Sequence, residues 1–221
     1  MTATLDSTTV AQYLTDHPQF FQEHVGLLGE VKLTSPLTGR TVSLQERQME
    51  VMRDKYKALE LRLSELSRLA EENAGIAAKF HGWTQDLLRA REAAGQPRAV
   101  VDGMLGHFAV PYATLRLWDL APQHADAWFT AGVSDDARLF ASSLQAPYCG
   151  ANKDFEAVRW LDAAAPVAST AMLALRAPGG AAFGLLVLGA PDAARFKDSM
   201  ATDFLVNIAA TASTALALLR A

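Results

Sequence analysis

The chain has 221 residues, half of them apolar, and a formal net charge of −4 at pH 7. A chain of this size and composition can bury a sizeable core, with room for one domain and an extension. Its 20 basic and 24 acidic residues leave no strongly basic region, so nucleic acid is not an expected partner. The single cysteine, Cys149, cannot form an internal disulfide, which is typical of a protein in a reducing cytoplasm.

Two further features bear on the cellular compartment. Residues 1–10 lack both the basic and the apolar segment of a signal peptide. The longest apolar runs, near residues 181–191 and 209–219, are well short of the roughly 20 residues needed to span a bilayer. We therefore expect a cytoplasmic protein with no membrane partner.

The first segment, residues 7–28, has the apolar spacing of a short helical module. Pro18 interrupts the pattern, and because proline disrupts a helix interior, two short helices are expected. This module either caps the start of the helix that follows or docks a protein partner, with His17, Phe20 and Phe21 as anchors. The sequence leaves both interpretations open.

A linker is predicted over residues 34–41, with Pro36 and Gly39 as its turn residues. A helix start follows at Ser43. Its hydroxyl can bind a free amide of the first turn while the carboxylate of Glu46 reaches back to the Ser43 amide, an arrangement called a capping box.

The most informative feature is a proline-free stretch, residues 43–91, which predicts one long helix. Apolar or small residues recur along it in alternating steps of four and three, the a/d seam of a coiled coil. A lone helix would leave this seam in water, so we expect a parallel homodimer. The seam comprises Met49, Met52, Tyr56, Leu59, Leu63, Leu66, Ala70, Asn73, Ala77, Phe80, Thr84 and Leu87, of which Met52, Tyr56, Leu59, Leu63, Leu66 and Asn73 are the predicted dimer interface.

The coiled coil proper is expected to end near Ala70, with the rest of the helix joining the next domain. Asn73 is a polar seam residue of the kind that fixes register. Gly75 and Gly82 weaken the helix and mark close packing, a bend or a break. The predicted domains are residues 1–41, a helical module and linker; 42–70, a dimerising helix; and 71–221, a GAF-like domain as explained below.

After Gly95 and Pro97, which end the long helix, helical and strand patterns alternate. The predicted helices cover residues 98–108, 135–144, 154–161 and 199–220, and the predicted strands cover 113–120, 126–131, 169–177 and 181–190. Residues 178–180, Pro-Gly-Gly, predict a tight hairpin, and residues 147–150 are interpreted as a loop. The strand at 181–190 is apolar on both faces, so it should be central and covered on both sides.

Two groups of motifs together span nearly the whole chain. They are Tyr13-Leu14, His17-Pro18, Phe20-Phe21, Val42-Ser43-Leu44, Glu46-Arg47-Gln48, Ala70 and Asn73, and then Phe183-Gly184-Leu185-Leu186-Val187-Leu188-Gly189, Asp192, Arg195-Phe196 and Thr202-Asp203-Phe204-Leu205. These motifs resemble the bacterial DUF484 family, and the order of elements resembles a GAF domain. The resemblance implies an α+β fold: a GAF-like antiparallel sheet flanked by helices, preceded by a long coiled-coil helix and a short helical N-terminal module. It implies no known activity, because the family is of unknown function.

No catalytic, metal or cofactor site is predicted. A catalytic thiol needs a nearby base, and no spacing singles out His81, His107 or His124 as the base for Cys149. The histidines lack metal-ligand spacing, and no nucleotide-binding loop or nucleophile elbow is present. We therefore expect a chain that is not an enzyme, with a structural or pocket-lining cysteine.

A ligand pocket between the sheet and the helical insertion is implied by the GAF resemblance, for a small anionic or aromatic ligand. Strand alternation places Arg116 and Trp118 on one face. A buried arginine needs an anionic partner, so Arg116 should bind Asp154, Glu156 or an acidic ligand. Equally, these side chains can simply fill their own core. The predicted ligand-binding residues are Arg116, Trp118, Trp128, Tyr148, Cys149, Phe155 and Met172.

Two functions follow from these features. The first is a non-enzymatic cytoplasmic regulatory or scaffolding protein that acts as a coiled-coil homodimer with a GAF-like domain. The alternative is a small-molecule sensor, in which the occupied pocket signals through the long helix.

Overall fold

The computed structural model describes residues 6–34, 41–177, 180–197 and 203–220. The chain divides into two compact units, Met1–Glu72 and Asn73–Ala221. The three-part division at residues 41 and 70 stays a prediction.

The first unit begins with three short helices: α1 (Ser7–Asp16), α2 (Phe20–Glu23) and α3 (Leu27–Glu30). Pro18 lies between α1 and α2, as predicted. The prediction of two helices is wrong, because a turn at residues 24–26 separates α2 from α3. Val25 and Gly26 lie in that turn, and both residue types have low helix propensity.

A small antiparallel ladder joins this module to the long helix. Strands β1 (Lys32–Thr34) and β2 (Thr41–Ser43) pair with Leu33 opposite Val42, a pairing that the linker prediction missed. The predicted turn residues between them, Pro36 and Gly39, lie outside the described residues. Strand β2 ends at Ser43, and the next helix begins at the following residue, Leu44.

The predicted capping box is confirmed. The Ser43 amide donates to Oε2 of Glu46 at 2.7 Å, and the Glu46 amide donates to Oγ of Ser43 at 3.2 Å. Two amides of the helix start are therefore satisfied reciprocally.

Helix α4 (Leu44–Arg89) is continuous over 46 residues, so the long helix is confirmed and neither glycine breaks it. At Gly82 the reason for glycine is close packing: a Cβ there would lie 2.9 Å from Cε1 of His107. The same imidazole places Nε2 2.7 Å from Oδ2 of Asp86. Hydrogen bonds from His107 and then from Arg89 hold the pKa of Asp86 below its ordinary value.

The second unit completes an α+β fold, which confirms the predicted class. Its further elements are α5 (Gln96–Gly106), β3 (Tyr112–Leu117), α6 (Asp135–Ser143), β4 (Tyr148–Ala151), β5 (Ser169–Arg176), β6 (Ala182–Ala190) and α7 (Asp203–Leu216). The four strands form an antiparallel sheet in the order β3-β6-β5-β4. Residues 199–202 of the predicted last helix lie outside the described residues.

Helices cover both faces of this sheet. On one face, Leu115, Leu173 and Leu186 pack with residues of α5, α7 and the end of α4; we call this cluster the helix-side core. On the other face, Trp118, Met172, Leu185 and Val187 pack with Ala141 of α6 and with Ala157 and Val158 of a short 3-10 helix, Glu156–Trp160; we call this cluster the insertion-side core. All nine residues of β6 are buried. The prediction of a central strand covered on both sides is confirmed.

Two predicted elements are wrong. Residues 126–131 form turns instead of a strand, because the Thr130 hydroxyl donates to the carbonyls of Ala125 and Ala127 at 2.8 and 2.7 Å. Residues 148–150, interpreted as a loop, belong to β4. Tyr148 pairs with Met172 of β5, a contact distant in sequence that local composition does not reveal.

The tightest glycine contact in the second unit joins α4 to α5. Trp83 of α4 is fully buried and its ring lies against Gly103 of α5. A Cβ on Gly103 would lie 2.0 Å from Cδ1 and 2.4 Å from Nε1 of Trp83. Real Cβ atoms do not approach that closely, so the two helices depend on glycine here.

Gly103→Ala should lower the free energy of unfolding by about 1–3 kcal/mol, the usual cost of an overpacked core. The gain in helix propensity, about 1 kcal/mol, offsets only part of this loss. Gly106→Ala is the matched control in the same helix, since no described atom lies within 4 Å of its Cβ position. Denaturant unfolding followed by circular dichroism measures both variants, and equal stabilities would contradict the importance of the Trp83 contact.

Candidate functional site

The apolar stripe of α4 is the first candidate site. Met49, Met52, Leu59, Leu63 and Leu66 are each more than half exposed, as is Tyr56 between them. Among the side chains described between residues 6 and 72, none is buried. Five of the six predicted dimer-interface residues, all except Asn73, therefore form one exposed stripe together with Met49, which we call the α4 stripe (Met49–Leu66).

The same seam is covered further along the helix. Phe80 and Leu87 belong to the helix-side core or pack against it. The ring centroid of Phe80 lies 5.7 Å from that of Phe204 in α7 and 5.6 Å from that of Trp83. The seam is therefore occupied by the chain's own core from Phe80 onward, while Asn73, the last predicted interface residue, is still exposed.

Ion pairs line the outer side of α4. Arg68 binds Glu65 at 2.6 Å and also binds Glu72. These contacts lower the pKa of Glu65, chiefly through the hydrogen bond from Arg68, and raise the pKa of Arg68. Because all three side chains are more than half exposed, water screens the pairs, and they add little to stability.

The insertion-side face of the sheet brings together five of the seven predicted ligand-binding residues. Trp118 and Met172 are buried in the insertion-side core, and Tyr148 and Phe155 pack against it. The rings of Tyr148 and Phe155 meet edge to face at 5.0 Å. Arg116 shares this face, with its guanidinium 5.8 Å from the ring of Trp160.

This group is packed as core. Trp118 is 5% exposed and Met172 is fully buried. The indole nitrogen of Trp118 donates to the carbonyl of Ala182 at 2.9 Å, so its polar atom is satisfied within the fold. These side chains fill the space that the sequence analysis considered for a ligand.

The other two predicted residues lie elsewhere. Cys149 follows Tyr148 in β4, so its side chain points to the opposite face, where it lies opposite Ala171 in the helix-side core. Trp128 is exposed in the turn at residues 126–131, against the ring of Phe129 at 5.5 Å. The structure does not bring either residue to the insertion-side face.

The predicted ion pair of Arg116 with Asp154 or Glu156 is wrong. Its guanidinium instead donates to the carbonyls of Ala131 and Leu115, both at 2.9 Å. Within the described residues it forms no ion pair. Glu156 is engaged at the start of α6, where it accepts from Oγ of Ser134 at 2.5 Å. Burial lowers the pKa of Arg116 from its ordinary value.

A cleft of about 480 Å³ lies elsewhere in the second unit, where sequence analysis predicted nothing. It lies where β4 pairs with β5 only over Ser169–Met172, so the end of β5 has β6 on one side and no strand on the β4 side. Small residues of α7 and residues 144–147 line the opening. At its edge Arg176 donates to the carbonyls of Ser142 and Leu144 at 3.1 and 2.5 Å. The run of alanines in the last helix was the only sequence signal for it.

The described residues offer neither a metal-binding cluster nor a membrane-spanning helix. No group of three or more histidine, cysteine or acidic side chains among them is placed to hold a metal ion. None of the described helices is long and apolar enough to cross a membrane.

The comparison with protein families identifies the chain. The model of the family described as "Protein of unknown function, DUF484" matches residues 1–217. The chain belongs to the DUF484 family. The membership that the N-terminal and C-terminal motifs predicted is therefore confirmed, and the comparison with curated proteins found no match for this DUF484 chain.

Two solved GAF domains are similar to part of this DUF484 chain. One, from a putative sensor histidine kinase of Pseudomonas syringae pv. tomato, has 15% identity and a TM-score of 0.43, covering 68% of this chain and 91% of its own. The other, from an Acinetobacter phosphoenolpyruvate-protein phosphotransferase, has 13% identity and a TM-score of 0.47, covering 64% and 92% respectively.

Cys149 should react slowly with alkylating reagents in the folded protein. The thiolate is the reactive form, and burial raises the pKa of the Cys149 thiol. Iodoacetamide at pH 8 should modify native Cys149 at least about tenfold more slowly than the urea-unfolded chain. Mass spectrometry measures both rates. Equal rates would show that the thiol is accessible and would contradict its burial, and a native rate above the unfolded one would show an activated thiol.

Proposed function

We propose that this DUF484 chain is a non-enzymatic cytoplasmic regulatory or scaffolding protein that acts as a homodimer joined through α4. The observation that carries the proposal is the α4 stripe, which no described side chain covers. Full burial of a leucine or methionine contributes about 1.5–3 kcal/mol. Five such side chains on each of two helices can offset an association cost of roughly 4–15 kcal/mol.

The first unit supplies independent support. None of its described side chains is buried, and helices gain most of their stability from packing. A segment in this condition needs a partner to become stable, and a second copy of α4 offers a matching apolar seam.

A regulatory or scaffolding role fits the continuity of α4. One helix carries the exposed stripe and also contributes Trp83 and Leu87 to the helix-side core. Assembly at one part of the helix and packing at another therefore involve the same helix. The buried position of Cys149 and its raised pKa favour a structural thiol over a catalytic one.

Replacing Leu59 and Leu66 together by aspartate should convert the dimer to monomers, because four charges would enter the seam of the pair. Leu61→Asp is the matched control, since Leu61 is as exposed as Leu59 but lies off the seam, and this variant should stay dimeric. Light scattering at micromolar concentration measures each mass. A monomeric wild-type protein, or a double variant that remains dimeric, would contradict the proposal.

A small-molecule sensor is the second candidate function, and the carbonyl partners of Arg116 are the observation that favours it. Carbonyls stabilise a guanidinium without neutralising it, so this partly buried cation retains an unbalanced charge. A small anion bound beside the ring of Trp160 would balance it.

If the sensor function holds, a screen of small anionic metabolites will contain a ligand that raises the melting temperature of the wild-type protein by several degrees. Binding at 100 times the dissociation constant contributes about 2.7 kcal/mol. Arg116→Ala should abolish the shift while Arg98→Ala, at an exposed arginine of α5, should keep it. If no anion raises the melting temperature, the sensor function is contradicted and only the scaffolding function remains.

A further inference from the structure

We infer that two copies of α4 pair in parallel and in register, with Lys55 of each copy facing Glu60 of the other. This inference rests on the proposed homodimer and names its geometry. It follows from which side chains flank the α4 stripe and from which of them make no ion pair among the residues that the structure describes.

The seam defines the flanking positions. With Tyr56 and Leu63 at a positions and Leu59 and Leu66 at d positions, the residue before each a position is g and the residue after each d position is e. The g residues are Gln48, Lys55, Arg62 and Leu69, and the e residues are Arg53, Glu60, Ser67 and Ala74. In coiled coils these two positions lie beside the interface and set the choice and orientation of the partner.

In a parallel, in-register pair each g residue faces the e residue five positions later on the other helix. Lys55 then faces Glu60, an attractive pair that the twofold symmetry repeats. Arg62 faces Ser67, and Arg53 is faced by Gln48. This arrangement therefore gains two opposite-charge pairs and brings no like charges together.

The antiparallel alternative is less favourable. When two stripes overlap completely in opposite directions, Met52 lies opposite Leu63, g residues face g residues, and e residues face e residues. Lys55 then faces Arg62 twice, so two like-charge pairs cancel the two attractive pairs of Arg53 with Glu60. A parallel pair shifted by one heptad likewise places Lys55 beside Arg53.

The described structure leaves the two charged residues available. Among the described residues neither Lys55 nor Glu60 makes an ion pair, whereas Arg68, on the outer side, is already held by Glu65 and Glu72. The parallel arrangement also places Asn73, at a d position, against Asn73 of the second copy, where the two amides can hydrogen-bond to each other. The antiparallel overlap would place Asn73 opposite residue 42, which precedes α4.

Disulfide trapping distinguishes the two directions. In a Cys149→Ala background, proteins carrying Met52→Cys or Leu63→Cys are mixed, exchanged and oxidised under mild conditions, and the cross-links are identified by mass spectrometry. Disulfides need Cβ atoms about 3.5–4.5 Å apart. The parallel register predicts links of residue 52 to 52 and of 63 to 63. Links of 52 to 63 would overturn it.

Light scattering distinguishes the absence of a dimer from a dimer that pairs through another surface. A wild-type monomer would refute the proposed dimer. A wild-type dimer whose Met52→Cys and Leu63→Cys variants stay dimeric but form no cross-link would leave the dimer standing and refute the pairing through the α4 stripe. Circular dichroism confirms that each cysteine variant retains its helix content.

A charge-swap series tests the named pair without cysteines. Lys55→Glu and Glu60→Lys should each weaken dimerisation by about three- to tenfold, as expected for exposed pairs that become repulsive. The double swap should restore the wild-type dissociation constant to within about twofold. Asp54→Lys and Lys57→Glu, on the outer side, are the matched controls and should change little. A double swap no tighter than the weaker single variant would overturn the pairing.

Discussion

An apolar seam costs free energy wherever it stays in contact with water, and the two parts of α4 differ in how their seam residues are covered. Over the last part of the helix the chain meets it alone, since Phe80 and Leu87 pack with α5 and α7 in the helix-side core. Between Met49 and Leu66 no described side chain covers the seam. Apolar stripes of this length on a monomer surface usually mark an interaction site. The proposed second copy supplies for the first part of α4 what the sheet domain supplies for the last.

Elements with strong local signals were predictable from the sequence. The reciprocal bonds of Ser43 and Glu46, the length of α4 and the two-sided burial of β6 all follow from patterns within one segment. Elements that depend on distant contacts were not. Strand β4 forms because Tyr148 pairs with Met172 in β5. Residues 126–131 form turns because the Thr130 hydroxyl donates to the carbonyls of Ala125 and Ala127, although the residue pattern there resembles a strand.

The predictions for the candidate site also succeeded where local geometry decides and failed where distant contacts decide. Alternation correctly placed Arg116 and Trp118 on one face, because this geometry belongs to any strand. It also separates Cys149 from Tyr148, but only once β4 is known to be a strand. The partner of Arg116 was mispredicted for a different reason: Glu156 is drawn to the Ser134 hydroxyl at the start of α6, where it also approaches the Ser134 amide. A helix start competes for a nearby carboxylate, and sequence spacing cannot rank the two partners.

The two units differ in the source of their stability, and this difference has a consequence for regulation. The second unit has two buried clusters of its own. The first has helices and a short ladder but no buried side chain among those described. Under the proposed dimerisation, association supplies the packing energy of the first unit, and stability gained by association depends on protomer concentration. On that proposal the stability of the first part of α4 varies with protomer concentration, whereas the packing of the two clusters in the second unit is supplied within one chain.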